Sequence, residues 1–168
     1  MKTAIKWGAI LGVTICVWTL VIHYLGFYTT NIAAGQKADI VVMIVPIATI
    51  TLALRERRRQ LARGLPLKES LGIGVVAGLV SVPITAGFLW WYHHFLNPKW
   101  MDYLVEYQRA KMTAAGLSAD LIATAEAAQR ASGGDAAQLV GAVIGTTILT
   151  LLISLIAGAF LRGAPKQA

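Results

Sequence analysis

An all-α polytopic membrane fold with four transmembrane helices is predicted by three observations on this sequence. Its 168 residues are 57% hydrophobic and only 14% charged, with a mean hydropathy of +0.64, whereas soluble domains carry about 25% charged residues. The apolar residues form four continuous runs near the ~20 residues a helix needs to cross a hydrocarbon core of about 30 Å. None of the runs alternates as a barrel strand would, and the basic residues gather at their ends.

The first span covers residues 5–27 and follows Lys2 and Lys6. A basic start before an apolar run resembles a secretory signal, but the run exceeds a signal core of roughly 7 to 15 residues. It also ends in bulky His23, Tyr24, Phe27 and Tyr28 instead of small residues, so a retained helix is expected. The second span, residues 38–54, is short, and Lys37, Asp39 and Arg55 at its ends are expected to snorkel to the interfaces. A basic loop, residues 55–69, comes next. Its arginine island, residues 55–63 (RERRRQLAR), is expected to prolong the second helix until Gly64 and Pro66 stop it.

The third span takes residues 71–96, and residues 97–135 then form an outer amphipathic helical excursion. Asn97 is expected to cap its first helix with Pro98 at the first helical position, and Trp100, Tyr103, Leu104 and Tyr107 share one face. That aromatic face suits the outer membrane interface or a partner. Gly116 can end this helix; Ser118 offers a cap for a second, with Asp120 in its first turn and Leu121, Ile122, Ala125 and Ala128 as a weaker stripe before Gly133 and Gly134. The fourth span, residues 136–161, completes a single domain.

Lys and Arg accumulate in short cytoplasmic loops. With the amino terminus inside, that side holds Lys2, Lys6, Arg55, Arg57, Arg58, Arg59, Arg63, Lys68, Arg162 and Lys166 against Glu56 and Glu69. The other side holds five basic and six acidic residues. Both termini are therefore expected to be cytoplasmic, with Arg55, Arg57, Arg58, Arg59 and Arg63 close to anionic lipid headgroups. The net charge of +7 does not point to nucleic acid, because the basic residues are not interleaved with aromatics as a stacking platform requires.

Four spans, an arginine-rich inner loop, residues 64–74 (GLPLKESLGIG) opening the third span and residues 116–122 (GLSADLI) in the outer excursion together resemble a family. It is the small four-span bacterial membrane proteins grouped as a domain of unknown function, common in Bacteroidetes and related phyla. The resemblance covers nearly the whole chain and implies the bacterial inner membrane. It brings no activity, cofactor or catalytic residue.

Histidines inside a bilayer are candidates for function. His23, near the outer end of the first span, and His93 and His94, at the outer end of the third, come to similar depth. Two imidazoles facing each other could hold a haem iron or hydrogen-bond a quinone. The competing expectation is that His93 and His94 are interfacial and that His23 bonds a neighbouring helix. Trp90, Trp91, Tyr92 and Trp100 are expected to form an interface belt at headgroup depth, the weaker alternative being that with Phe95 they line a pigment or ligand groove.

Glycines recur at four-residue spacing as Gly8 and Gly12, Gly74 and Gly78, and Gly141 and Gly145, with Ser154 and Gly158 extending the last series. Such faces let helix backbones approach, within one chain or between chains. Pro46 and Pro83 lie mid-span as sites of kinks. The spans carry no charge near the midplane and no convincing internal repeat, so a transporter or channel is the weaker alternative. No metal-ligand cluster, nucleophile elbow or phosphate loop occurs, and Asp102 and Glu106 are expected to pair with Arg109 or Lys99 on a solvated face. The single Cys16 allows no intrachain disulfide. The reading that results is a non-enzymatic accessory or scaffold subunit of a larger membrane complex, without a cofactor.

Overall fold

The computed structural model describes residues 1–61 and 64–162, the side chains of Asp39 and Val41 excepted. Arg63 and Lys166, both assigned to the basic end, lie outside the described residues. Six α-helices follow in order: α1 Lys2–Tyr24, α2 Ile32–Arg59, α3 Leu67–Trp91, α4 Trp100–Ala114, α5 Ala119–Ser132 and α6 Asp135–Phe160. A π-helical turn, Tyr92–Leu96, prolongs α3. The described residues include no strand, and α1, α2, α3 with its π turn, and α6 are long and apolar enough to cross a membrane.

In the bundle α3 packs against α1 and α6, and α2 closes the ring by packing against the same two helices. The core sits toward the basic end, where Ile50, Ala53, Leu54, Leu65 and Ala77 are fully buried with Ala4, Ile73 and Ile153. An acid inside the arginine island fastens that end. Glu56 Oε2 accepts from Lys6 Nζ at 2.7 Å and from Trp7 Nε1 at 2.8 Å, joining α2 to α1. Arg57 Nε reaches Glu69 Oε1 at 2.6 Å, joining α2 to α3, and Leu65 N donates to Leu161 O at the foot of α6. The start of α1, the end of α2, the start of α3 and the end of α6 thus share one end of the bundle.

The α2 helix starts at Ile32, ahead of the expected span, so Lys37 and Asp39 lie within the helix. Gly26, at φ +76°, lets its carbonyl accept from the amides of Thr29, Thr30 and Asn31; Asn31 then caps α2 by accepting from Ala34 N at 3.2 Å. At the other end α2 stops at Arg59, before Gly64 and Pro66, with Arg57, Arg58 and Arg59 in the last turn, where cations complement the helix dipole. Pro66 occupies the N-cap position of α3. Pro46 and Pro83 lie inside continuous helices.

Between α3 and α6 the chain forms a hairpin of α4 and α5. Gly116, at φ +75°, ends α4 in a left-handed cap in which Gly116 N donates to Thr113 O and Leu117 N to Met112 O. Ser118 takes the N-cap position of α5 without a side-chain cap bond. The acids pair across the hairpin and not along α4: Asp102 accepts from Arg130 at 2.9 Å, and Glu126 receives both prongs of Arg109. The hydrogen bonds from Arg109 hold the Glu126 carboxyl below its ordinary value of 4.5.

Candidate functional site

The π turn organises the half of the bundle away from the basic end. A helix carrying an i to i+5 turn shifts its following residues relative to a regular α-helix. Tyr92 opens this turn and Asn97 closes it, and both side chains end up buried, at 2% and 3% exposure. Asn97 is therefore not the side-chain cap of α4, whose N-cap is Lys99. Its Nδ2 donates to Tyr28 O at 3.4 Å and to Tyr92 Oη at 3.2 Å. Because that amide nitrogen can only donate, the proton of the Tyr92 hydroxyl is directed at His23 Nδ1, 2.9 Å away. Three segments are tied together by one buried phenol.

His23 and His93 do not face each other. Tyr92 stands between them, edge-on to His23 at 5.3 Å between ring centroids and edge-on to His93 at 5.4 Å. His93 stacks on Trp100 with centroids 4.1 Å apart and shares a recess with Gln138 on α6. His94 points outward: its Nδ1 donates to Trp90 O at 2.8 Å, and its Nε2 lies 3.6 Å from Asp135 Oδ2. Of the four aromatics expected in the interface belt, Trp90 and Trp91 are exposed, but Tyr92 is buried and Trp100 faces inward onto His93. The π turn is the physical cause, because it rotates Tyr92 into the bundle and brings α4 back across it.

A partly open cavity of about 250 Å³ adjoins this cluster. Tyr28, Tyr92, His93 and Trp100 supply aromatic wall, and Thr19, Gln36 and Asn97 supply hydrogen-bonding groups. His93 also borders a second recess between α3 and α6, beside Asp135 and Gln138. Among the described residues, no group of three His, Cys, Asp or Glu side chains could hold a metal.

The small-residue faces separate into two kinds. A Cβ on Gly8 would lie 2.6 Å from Ala77 O, and one on Gly12 would lie 2.9 Å from Ile84 Cβ, so this pair seats α1 on α3. A Cβ on Gly74 would strike the Ser154 side chain and come within 2.6 Å of Thr150 O; one on Gly78 would lie 2.6 Å from Thr150 Oγ1. Gly158 meets Ser70 in the same α3–α6 seam. A Cβ on Gly141 or Gly145 would meet no atom of another helix within 4 Å among the described residues. Ser154 and Gly158 do not extend that last face, because at about 100° per residue Gly145 and Ser154 stand about 180° apart on the helix.

The open face continues along α6 through Ile148, Leu152 and Ile156, all at least half exposed. At the opposite end of the bundle the arginines differ in availability. Arg57 is engaged by Glu69 and Arg58 is half-buried, whereas Arg55 and Arg59 are exposed beside a recess walled by Trp7 and Leu52.

A family model described as a protein of unknown function, DUF4199, matches residues 6–163. No curated protein and no solved structure matches the chain. With nearly its whole length covered, the chain belongs to the DUF4199 family.

Proposed function

We propose that this DUF4199 member is a non-enzymatic accessory or scaffold subunit of a larger complex in the bacterial inner membrane, and that α6 is its docking helix. The observation that carries this reading is the contrast between the glycine pairs. Two pairs are filled by helices of the same chain, while Gly141 and Gly145 present an equally close-approach surface that the chain leaves open. Within its most apolar stretch α6 is also the least buried of the four spanning helices, at 17% against 28–39% for the others. In lipid, exposed leucine gains nothing by packing on another apolar side chain; backbone approach at small residues is what drives association. The occupant that fits is a transmembrane helix of a different subunit.

Native mass spectrometry after gentle solubilisation tests this. The wild-type chain is expected in a heteromeric complex that Gly145→Leu depletes at least tenfold, with Ile44→Ala, on a lipid-facing side of α2, as an unaffected control. A wild-type chain that is strictly monomeric contradicts the proposal.

In this reading both termini are cytoplasmic, and Arg55 and Arg59 contact anionic headgroups, each gaining on the order of 1 kcal/mol. With Cys16 replaced by serine, Ser118→Cys should react with a membrane-impermeant maleimide in intact spheroplasts, and Gln60→Cys only after lysis. The reverse pattern would overturn the orientation.

A further inference from the structure

The outer cavity has features that the docking role of α6 does not use. Among the described residues its lining contains no Asp, Glu, Lys or Arg, and an ion placed there without a partner would bear a large desolvation penalty. Its occupant is therefore neutral. Tyr28, Tyr92, His93 and Trp100 line the cavity together with the apolar Leu89 and Leu104, a combination that favours a flat aromatic group. An apolar cavity of about 150 Å³ holds benzene, so 250 Å³ admits one substituted ring.

Two amides set the polar requirement. Gln36 borders the cavity and makes no hydrogen bond to a described residue, so its donor and acceptor are both available. The Asn97 N–H groups are engaged by Tyr28 O and Tyr92 Oη, which leaves its carbonyl oxygen as an acceptor. An oxygen substituent that both donates and accepts answers these two groups.

We propose that the partly open cavity lined by α1, α2, α3, α4 and the π turn binds a neutral single-ring aromatic molecule bearing hydroxyl or carbonyl oxygens, of the phenol or quinol class. The α6 docking face lies elsewhere on the bundle, so either proposal can fail while the other stands. A phenol can arrive from water and a quinol headgroup from the bilayer, and the two share the chemistry that Gln36 and Asn97 recognise.

Titration calorimetry of the full chain in nanodiscs, with 4-ethylphenol, decylubiquinol and ethylbenzene as probes, tests the site. Saturable binding of at least one oxygen-bearing probe is expected, on the order of tenfold tighter than ethylbenzene. Binding of both probes leaves either source open, whereas binding of decylubiquinol alone assigns the source to the bilayer. Gln36→Leu should weaken the bound probe severalfold, and Ile32→Trp, which fills the cavity from α2, should abolish binding while circular dichroism confirms the fold. If Ile32→Trp does not fold, Leu104→Trp tests the same point from α4. No saturable binding of either oxygen-bearing probe, affinities equal to that of ethylbenzene, or binding indifferent to Gln36→Leu and to the folded tryptophan variant would overturn the proposal.

Discussion

Gly74→Val is expected to be among the most damaging substitutions of one residue in this bundle. Even the first carbon of the new side chain collides with the Ser154 side chain and the Thr150 carbonyl, and neither backbone can retreat without opening the α3–α6 seam. Overpacking of a well-filled contact costs about 1–3 kcal/mol, and β-branching places a second clash on the same site. Unfolding in detergent, followed by loss of helical circular dichroism, should show that loss. Two companions make the test specific. Ser154 Oγ is buried without a hydrogen-bond partner among the described residues, so Ser154→Gly should recover part of the stability of Gly74→Ala by emptying the space that the alanine methyl needs. Gly141→Ala should leave the isolated chain unchanged, since its Cβ meets nothing. Equal losses at Gly74 and Gly141 would mean that the seam is misplaced.

The second large effect is expected from Tyr92→Phe, which keeps the ring and removes one oxygen. His23 Nδ1 loses its partner, and one of the two Asn97 amide bonds is broken. Leaving buried polar groups unpaired costs roughly 1–3 kcal/mol, although interhelical hydrogen bonds in membranes average nearer 0.6 kcal/mol. A value toward the upper part of that range is expected because two bonds share one hydroxyl. Combining Tyr92→Phe with His23→Phe should cost clearly less than the sum of the single changes, since the second substitution removes the orphaned nitrogen. Strict additivity in a denaturation cycle would show that the His23–Tyr92 bond contributes nothing.

Much of this architecture was legible in the sequence. Apolar run length identifies the four spanning helices, Gly116 marks the end of α4, and the four-residue spacing of Gly8 with Gly12 and of Gly74 with Gly78 marks two seams where helices meet. The outer cluster was less legible because an Asn followed by Pro reads locally as a helix cap. That preference is overridden when a π turn delivers the amide into the bundle, where it satisfies the Tyr28 carbonyl. Regular 3.6-residue periodicity has no term for such a turn, and Tyr92 read as a belt residue because depth at the end of the third span says nothing of which way its ring turns. Asp102 paired with Arg130 across the hairpin because antiparallel packing of α4 and α5 brings together charges that sequence spacing separates. The glycine pairs present the sharpest limit. Gly74 with Gly78 and Gly141 with Gly145 have the same spacing, and only the tertiary packing reveals which pair the chain fills by itself.

That unfilled pair carries the functional reading, and site-directed photocrosslinking in the native membrane tests it most directly. A benzophenone side chain replacing Ile148, one turn from Gly145 on the open face of α6, is expected to form a discrete adduct with a second membrane protein. The same group replacing Val17, exposed on α1, is expected to label lipid alone. No discrete adduct from position 148, or the same adducts from both positions, would contradict the assignment of α6 as the docking helix.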